Sequence, residues 1–296
     1  MSNIEIIIQP RLNDIGDGFH VRRALPFQKK RMVGPFIFLD HMGPLHVDQN
    51  HGLKVRAHPH IGLSTLTYLF SGTIFHRDTL GFEQPIRPGE VNWMTAGKGI
   101  AHSERSVPNE HGILEGIQVW IALPKEHEDI EPSFVHKDLK DIPNVEVGNE
   151  SYQLVAGTAF GKTSPVPVHS PLFYLGGEVK KDHVFSMKLG EIAEGAVYIA
   201  KGKIEVEGKI YEEGTLVSFL KGTSVDYKTL EDCRLVVVGG DVFPEKRFIF
   251  WNFVSSSHEK IEAAKLAWKN KDFGRVIHED EYIPLPEEQP LVPKYP

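Results

Sequence analysis

Two short pairs, His58-Pro59-His60 and His102-Ser103-Glu104, bring together residue types that bind transition metals. Each pair is spaced i, i+2, which on an extended strand places both side chains on one face. Between them run LSTLTYLFSGTIFHRD and EVNWMTAGKG, strand-like segments broken at Gly72, Gly81, Pro88-Gly89 and Gly97. A small antiparallel barrel built from these segments brings the pairs together inside its wall, as three imidazoles and one carboxylate. Zinc, iron, manganese, nickel and cobalt all accept that donor set. Four protein ligands on a six-coordinate ion leave two positions for water, substrate or dioxygen. In a chain with 15 histidines a lone His-x-His pair arises by chance, and the bland reading is two loop histidines plus a buried His–Glu hydrogen bond. The second pair, following the glycine-rich TAGKGIAH turn, favours the metal site.

The elements that must position these residues are strands. At 296 residues the chain exceeds one ordinary domain. Its 27 glycines and 20 prolines favour many turns between short strands. IEIII (4–8) reads as a first strand, Gly16, Gly18 and Pro26 mark turns, and PFIFLDHMGP (35–44) is an apolar strand closed by Gly43-Pro44. Residues 45–57, with His46 and His51, suit an exposed loop. LTYLFSG (66–72) is a strand bounded by glycine. GILEGIQVWIALP (112–124) is another, with Ile117, Val119 and Ile121 on one face and Gln118, Trp120 and Ala122 on the other. The charged stretch 125–150 is the expected boundary, giving domains 1–136 and 137–296.

After residue 150 the strand rhythm returns as a faded copy of the first half. Tyr68-Leu-Phe-Ser-Gly72 has a counterpart in Tyr198-Ile-Ala-Lys-Gly202, and Pro88-Gly89-Glu-Val-Asn-Trp in Glu213-Gly214-Thr-Leu-Val-Ser. Carrying the offsets of the metal residues across gives Lys188, Gly190, Tyr227 and Thr229, none a good ligand. The second barrel is therefore expected to keep the frame without the site. Ser256-x-x-Glu259 reads as a capping box, followed by an amphipathic helix over 257–270 with Ile261, Ala264 and Trp268 inward and Lys260, Lys265 and Lys269 toward solvent. The proline-rich tail IPLPEEQPLVPKYP cannot be regular structure; it either wraps over a barrel or stays loose.

A formal charge of -7 argues against a dedicated nucleic-acid binder. The one basic run, Gln28-Lys29-Lys30-Arg31, reads as a solvated loop. The single Cys233, in LEDCRLVVVGG, excludes a disulfide framework within the chain and reads as a buried structural thiol. The N-terminus lacks the pattern of a signal peptide, and no window approaches a membrane span. A soluble, cytoplasmic protein is expected. His76 and Asp78 share a strand face and read first as a surface pair, second as partners that orient a ligand histidine. Asp40-His41 reads as loop-stabilising. Trp93, Met94 and Phe70 read as core or pocket wall, and His183 as structural.

The motifs HPHxG, TYLxxG and PGEVNWMTAGKGIAHSE resemble the cupin superfamily and, within it, the pirin family; PFIFLDHMGP and WNFVSSS extend the likeness over nearly the whole chain. The resemblance implies an all-β bicupin: two stacked jelly-roll-like β-barrels, metal in the N-terminal one, with the short helix and proline-rich tail at the end. It carries the ligand role onto His58, His60, His102 and Glu104. The cofactor expected is one divalent transition metal, Fe(II) first, with Mn, Ni, Co or Zn as alternatives. Pirins often show HPHRGFE where this chain has His58-Pro-His-Ile-Gly-Leu-Ser64, so Ile61 and Ser64 replace an Arg and a Glu. Two functions follow from the resemblance. One is a quercetinase-like dioxygenase acting on a small aromatic, enolisable substrate with O2, with Glu104 as both ligand and catalytic base. The other is a regulatory metal-binding protein acting through protein partners.

Overall fold

The computed structural model describes residues 2–15, 19–48, 52–106 and 112–287. Among the described residues the regular structure is almost all antiparallel strand, with one α-helix, His258–Asn270. No helix there is long and apolar enough to cross a membrane. The chain divides into two compact units: Met1–Leu12, Arg22–His41 and Lys137–Phe243 in one, and Asn13–Val21, Met42–His136 and Pro244–Pro296 in the other. The step from 136 to 137 is one of several crossings. The N-terminal strand and the C-terminal helix are thereby distributed differently from a single division at that point.

The unit holding both motif pairs contains a four-stranded sheet in the order Lys54–His60, Ile100–Ser106, Ile74–Asp78, Glu83–Ile86. Val91–Thr95, Leu63–Ser71 and Gly112–Ala122 lie side by side in a second sheet. An apolar cluster that includes Met42, Leu69, Ile74, Ile86 and Leu114 is buried in this unit. The other unit repeats the small sheet as Val184–Lys188, Ser224–Thr229, Lys203–Val206, Lys209–Glu212, the same order of equivalent strands. Its larger sheet likewise places Leu216–Phe219, Ala193–Lys201 and Cys233–Asp241 side by side, and Ile4–Ile8 pairs onto the Leu216–Phe219 edge. The repeat read from TYLFSG and YIAKG is therefore a repeat of topology.

The interior of this second unit is filled by rings. Tyr227, one of the four positions reached by the offsets, shares a hydrogen bond of 2.9 Å with Tyr152 through their hydroxyls. Its ring stacks on Phe185 with centroids 4.8 Å apart. Thr229 is buried and donates its hydroxyl to Lys180 O at 2.7 Å, while Lys188 and Gly190 are exposed. Cys233 is buried, as its apolar setting implies.

Several local expectations change. Gly43-Pro44 does not end a strand: Phe36–Val47 is continuous through it and carries His46. Gly43 has φ +78°, and a Cβ there would lie 2.2 Å from Leu114 O. The glycine thus serves close approach of a neighbouring backbone rather than a chain reversal. Asp40 and His41 are buried within the same strand. Arg23 grips the Asp40 carboxylate at 2.9 and 2.7 Å, and His41 Nδ1 lies 3.0 Å from the Tyr198 hydroxyl. Lys30 is buried, not solvated, because Glu5 and Glu194 each approach its ammonium to 2.7 Å. His51, Gly16, Gly18 and the tail beyond residue 287 lie outside the described residues.

The helix is capped by Ser257, whose hydroxyl accepts from Lys260 N at 3.3 Å. Ser256 is held by Glu128 instead, to which its amide donates at 2.7 Å and its hydroxyl at 3.2 Å. Ile261 and Ala264 face inward, against Ile61, Phe250 and Phe253. Lys265 is buried rather than solvated: its ammonium sits 4.4 Å from the Phe250 ring centre and 2.9 Å from Glu262.

Gly62 turns the chain between the Lys54–His60 and Leu63–Ser71 strands at φ +67°, and a Cβ on it would lie 1.9 Å from Val254 O. Both the backbone conformation and the space exclude a side chain. Gly62→Ala is expected to lose about 2–4 kcal/mol in a urea titration. An unchanged midpoint would show that the Val254 segment yields freely.

Candidate metal centre

The Ile100–Ser106 strand is the axis of the site because it pairs on both edges. On one side His102 faces His58; on the other His102 faces Asp78 and Glu104 faces His76. Directly opposed residues point to the same face of a sheet, so six polar side chains on three strands share one inner face. The register slips between His102 and Glu104, leaving Arg56 and Ala57 together opposite Ser103. This β-bulge releases two residues' backbone groups from the ladder. Arg56 O is taken by His58 Nδ1 at 2.8 Å. Ala57 is taken by the chain's C-terminal segment: Ala57 N donates to Glu281 O at 3.3 Å, and Ile283 N donates to Ala57 O at 2.8 Å. The segment around Glu281–Ile283, where the expected tail begins, thus lies along the strand that carries His58 and His60.

His58, His60 and His102 are all buried, and one ring nitrogen from each lies within 4.8 Å of the others. His60 Nε2 and His102 Nε2 stand 3.1 Å apart. Burial dominates their titration. It lowers His58 to about 4, and it holds His60 and His102 well below the ordinary histidine value, helped by the neighbouring imidazoles. All three are uncharged at neutral pH, the form that ligates metal. His58 donates its Nδ1 hydrogen to Arg56 O, so its Nε2 lone pair is free to coordinate.

The residues fit a transition-metal ion. Imidazole nitrogens about 2.1 Å from one ion stand about 3.0 Å apart at right angles and about 3.4 Å apart in a tetrahedron. The 3.1 Å between His60 and His102 lies between these values. Two buried ring nitrogens that close need a proton or a cation between them.

Glu104 occupies the same face two residues on, but its carboxylate stands outside the 4.8 Å set formed by the histidines. Burial raises its proton affinity. The Thr67 hydroxyl donates to Gln118 Oε1 at 2.7 Å and lies 3.3 Å from Glu104 Oε1, so its one hydrogen is shared between them. Trp120 lies edge-on to His60 with centroids 5.0 Å apart. Thr67 and Gln118 are polar residues on inward strand positions. Both are visible in the sequence as interruptions of apolar strands; Thr67 opens the TYLxxG motif, whereas Gln118 lies in none of the motifs.

His76 and Asp78 are not a surface pair. Both are buried, joined by a 3.0 Å hydrogen bond between His76 Nε2 and Asp78 Oδ2, and His76 Nδ1 lies 3.3 Å from His102 Nδ1. Their alternation follows the inner face of the sheet. The following hairpin covers them, since Leu80 N and Phe82 N both donate to Asp78. Trp93 and Met94 are core residues, with the Trp93 indole donating to Thr95 at 2.9 Å. Ile61 and Ser64 are accommodated apart from the histidines: Ile61 packs in the helix cluster, and Ser64 bonds Thr95 at 3.1 Å.

Known proteins are similar to this chain over most of its length. The family described as Pirin matches residues 18–121, and the Pirin C-terminal cupin domain matches residues 174–274. A pirin-like protein of Caulobacter vibrioides is 47% identical, over 96% of this chain and 100% of its own length. The crystal structure of quercetin 2,3-dioxygenase from Acinetobacter baumannii superimposes with a TM-score of 0.87 at 33% identity, covering 97% of this chain and 95% of that one. A bacterial pirin from Escherichia coli, solved in complex with nickel(II), shares the fold at a TM-score of 0.65 and 18% identity, covering 80% of this chain and 99% of that one.

Glu279 braces the axial strand at Ser103 and Arg105, the residues that flank Glu104. It accepts from Ser103 Oγ at 3.0 Å and from Arg105 Nε at 2.6 Å, with a second Arg105 bond to its other oxygen. Burial pushes its carboxyl up, but the bonds from Arg105 and Ser103 outweigh burial and hold it below the ordinary range. A carboxylate held low stabilises the fold above the unfolded glutamate value near 4.3, and that contribution is lost as pH falls through its folded value. Glu279→Gln is expected to cost about 1–3 kcal/mol at pH 7. Below about pH 4.5 its stability should fall less steeply than that of the unsubstituted protein. Parallel curves of urea midpoint against pH would contradict this.

Proposed function

The chain belongs to the pirin family, and from that premise we propose that it is a metal-dependent dioxygenase of the quercetin 2,3-dioxygenase kind. Its substrate in this reading is a flavonol or another enolisable aromatic compound, opened with O2. The observation that carries the reading is the convergence of three buried, uncharged imidazoles on one inner face with a carboxyl of raised proton affinity beside them. The 33% identity to the Acinetobacter baumannii enzyme, along nearly the whole chain, supports it.

In this reading His58, His60 and His102 hold one divalent ion and Glu104 joins them as the fourth ligand. Fe(II) is the first ion to expect, with Mn, Ni, Co and Zn sharing the same donor preference; the Escherichia coli relative was solved with nickel(II). The bound ion would supply Lewis acidity and, for the redox-active members, one-electron chemistry. The chain's own residues do the rest. Glu104, raised by burial, accepts the hydroxyl proton of an enolisable substrate. Thr67 stands 3.3 Å from the carboxylate, and Trp120 packs edge-on against His60.

The test is dioxygen uptake with quercetin by protein reconstituted separately with Fe(II), Mn(II), Ni(II), Co(II) and Zn(II). Uptake is expected to depend on the ion and to disappear in His58→Ala/His60→Ala, checked as folded by circular dichroism. Confirmed metal occupancy without uptake for any ion would refute the dioxygenase reading and favour a regulatory role through protein partners.

A further inference from the structure

We propose that Asp78 and His76 form a hydrogen-bond relay that fixes the tautomer and ring orientation of His102, and so set the affinity of the metal centre without touching the ion. The proposal rests on the reading that the three histidines hold a metal.

The relay begins at a fixed carboxylate. Asp78 is fully buried, and its Oδ1 accepts from Leu80 N at 2.9 Å and Phe82 N at 3.1 Å. Only Oδ2 remains for His76, whose Nε2 lies 3.0 Å away. A carboxylate accepts, so His76 Nε2 carries the hydrogen. The His76 ring cannot turn freely, because it stacks on Phe134 at 4.4 Å with 16° between the planes. Its Nδ1 therefore faces His102 Nδ1 at 3.3 Å.

A hydrogen bond between two ring nitrogens needs one hydrogen. If His102 Nδ1 donates it, His76 is the neutral Nε2-H tautomer and His102 Nε2 is a bare lone pair facing His60 Nε2. That is the one arrangement in which every group from Asp78 to His102 is satisfied and His102 can coordinate. His58 reaches the same state by a shorter route, through Arg56 O. Partners of this kind hold ligand rings in place, and their loss typically costs about 10–100-fold in metal affinity.

Asp78→Asn tests the relay almost isosterically. The asparagine oxygen remains with the Leu80 and Phe82 amides, so its NH2 group faces His76 Nε2. That forces His76 to donate from Nδ1, and His102 is left with its hydrogen on Nε2. His76→Asn keeps an acceptor near the old Nδ1 position, whereas His76→Leu removes it. Full-length protein would be titrated with Co(II), with binding followed by calorimetry and by the visible absorption of the bound ion.

Asp78→Asn and His76→Leu are expected to bind about 10–100-fold more weakly, with an altered cobalt spectrum. His76→Asn should recover much of the loss. Unfolding of the metal-free variants, followed by circular dichroism, separates this effect from a general loss of structure. Wild-type affinity and spectrum in Asp78→Asn and His76→Leu would overturn the relay and leave the metal centre standing. Equal weakening in His76→Asn and His76→Leu would also overturn it. Failure of the unsubstituted protein to bind Co(II) would overturn the metal-centre reading, and the relay with it.

Discussion

Everything at the site depends on the burial of three imidazoles against one another. Taking a charged group from water into a protein interior is costly, and clustering three potential cations makes it costlier. The rings therefore stay neutral, and their lone pairs turn toward a shared point. The strand alternation supplies the convergence, because residues spaced two apart on neighbouring antiparallel strands must share a face. The bulge at Arg56–Ala57 supplies a free carbonyl for His58 and leaves Ala57 for a second segment to cover. The C-terminal stretch around Glu279–Ile283 provides that cover. That segment thus braces the strands that carry the three histidines.

The second unit shows what the same frame does without that constraint. Its small sheet has the same strand order, but the inner positions hold Phe185, Tyr227 and Val225, with Tyr152 pressing in from the larger sheet. Rings fill the volume by packing and need no ion. One topology accommodates either solution, and side-chain identity on the inner face of the Ser224–Thr229 strand decides between them.

Much of this was legible in the sequence because it follows from period-two patterning. The HPH and HSE spacings place their side chains on one face whatever the surroundings, and TYLFSG and YIAKG mark equivalent strands. The offsets carried over from the first half were less exact: they reach buried positions at Tyr227 and Thr229, but Lys188 and Gly190 are exposed where His58 and His60 are buried. What could not be read is long-range. His76 and Asp78 have the same alternation as an exposed edge pair; only the stacking of Phe134 and the hairpin at Leu80–Phe82 bury them. Lys30 and Lys265 look like solvated charges until Glu5, Glu194, Glu262 and Phe250 are brought beside them. Gly43-Pro44 carries the local signature of a turn, yet here the glycine answers the close approach of Leu114. The shift of the helix cap from Ser256 to Ser257 has a similar origin, since Glu128 is distant in sequence.

The central claim is that His58, His60 and His102 coordinate one ion through Nε2. The most direct measurement is anomalous diffraction from crystals of the protein loaded with a divalent transition metal, recorded at the absorption edge of that metal. The account predicts a single strong peak inside the barrel that carries these histidines, about 2.0–2.1 Å from the Nε2 atoms of all three. No peak there, or coordination through Nδ1 with the Arg56 bond to His58 broken, would contradict it.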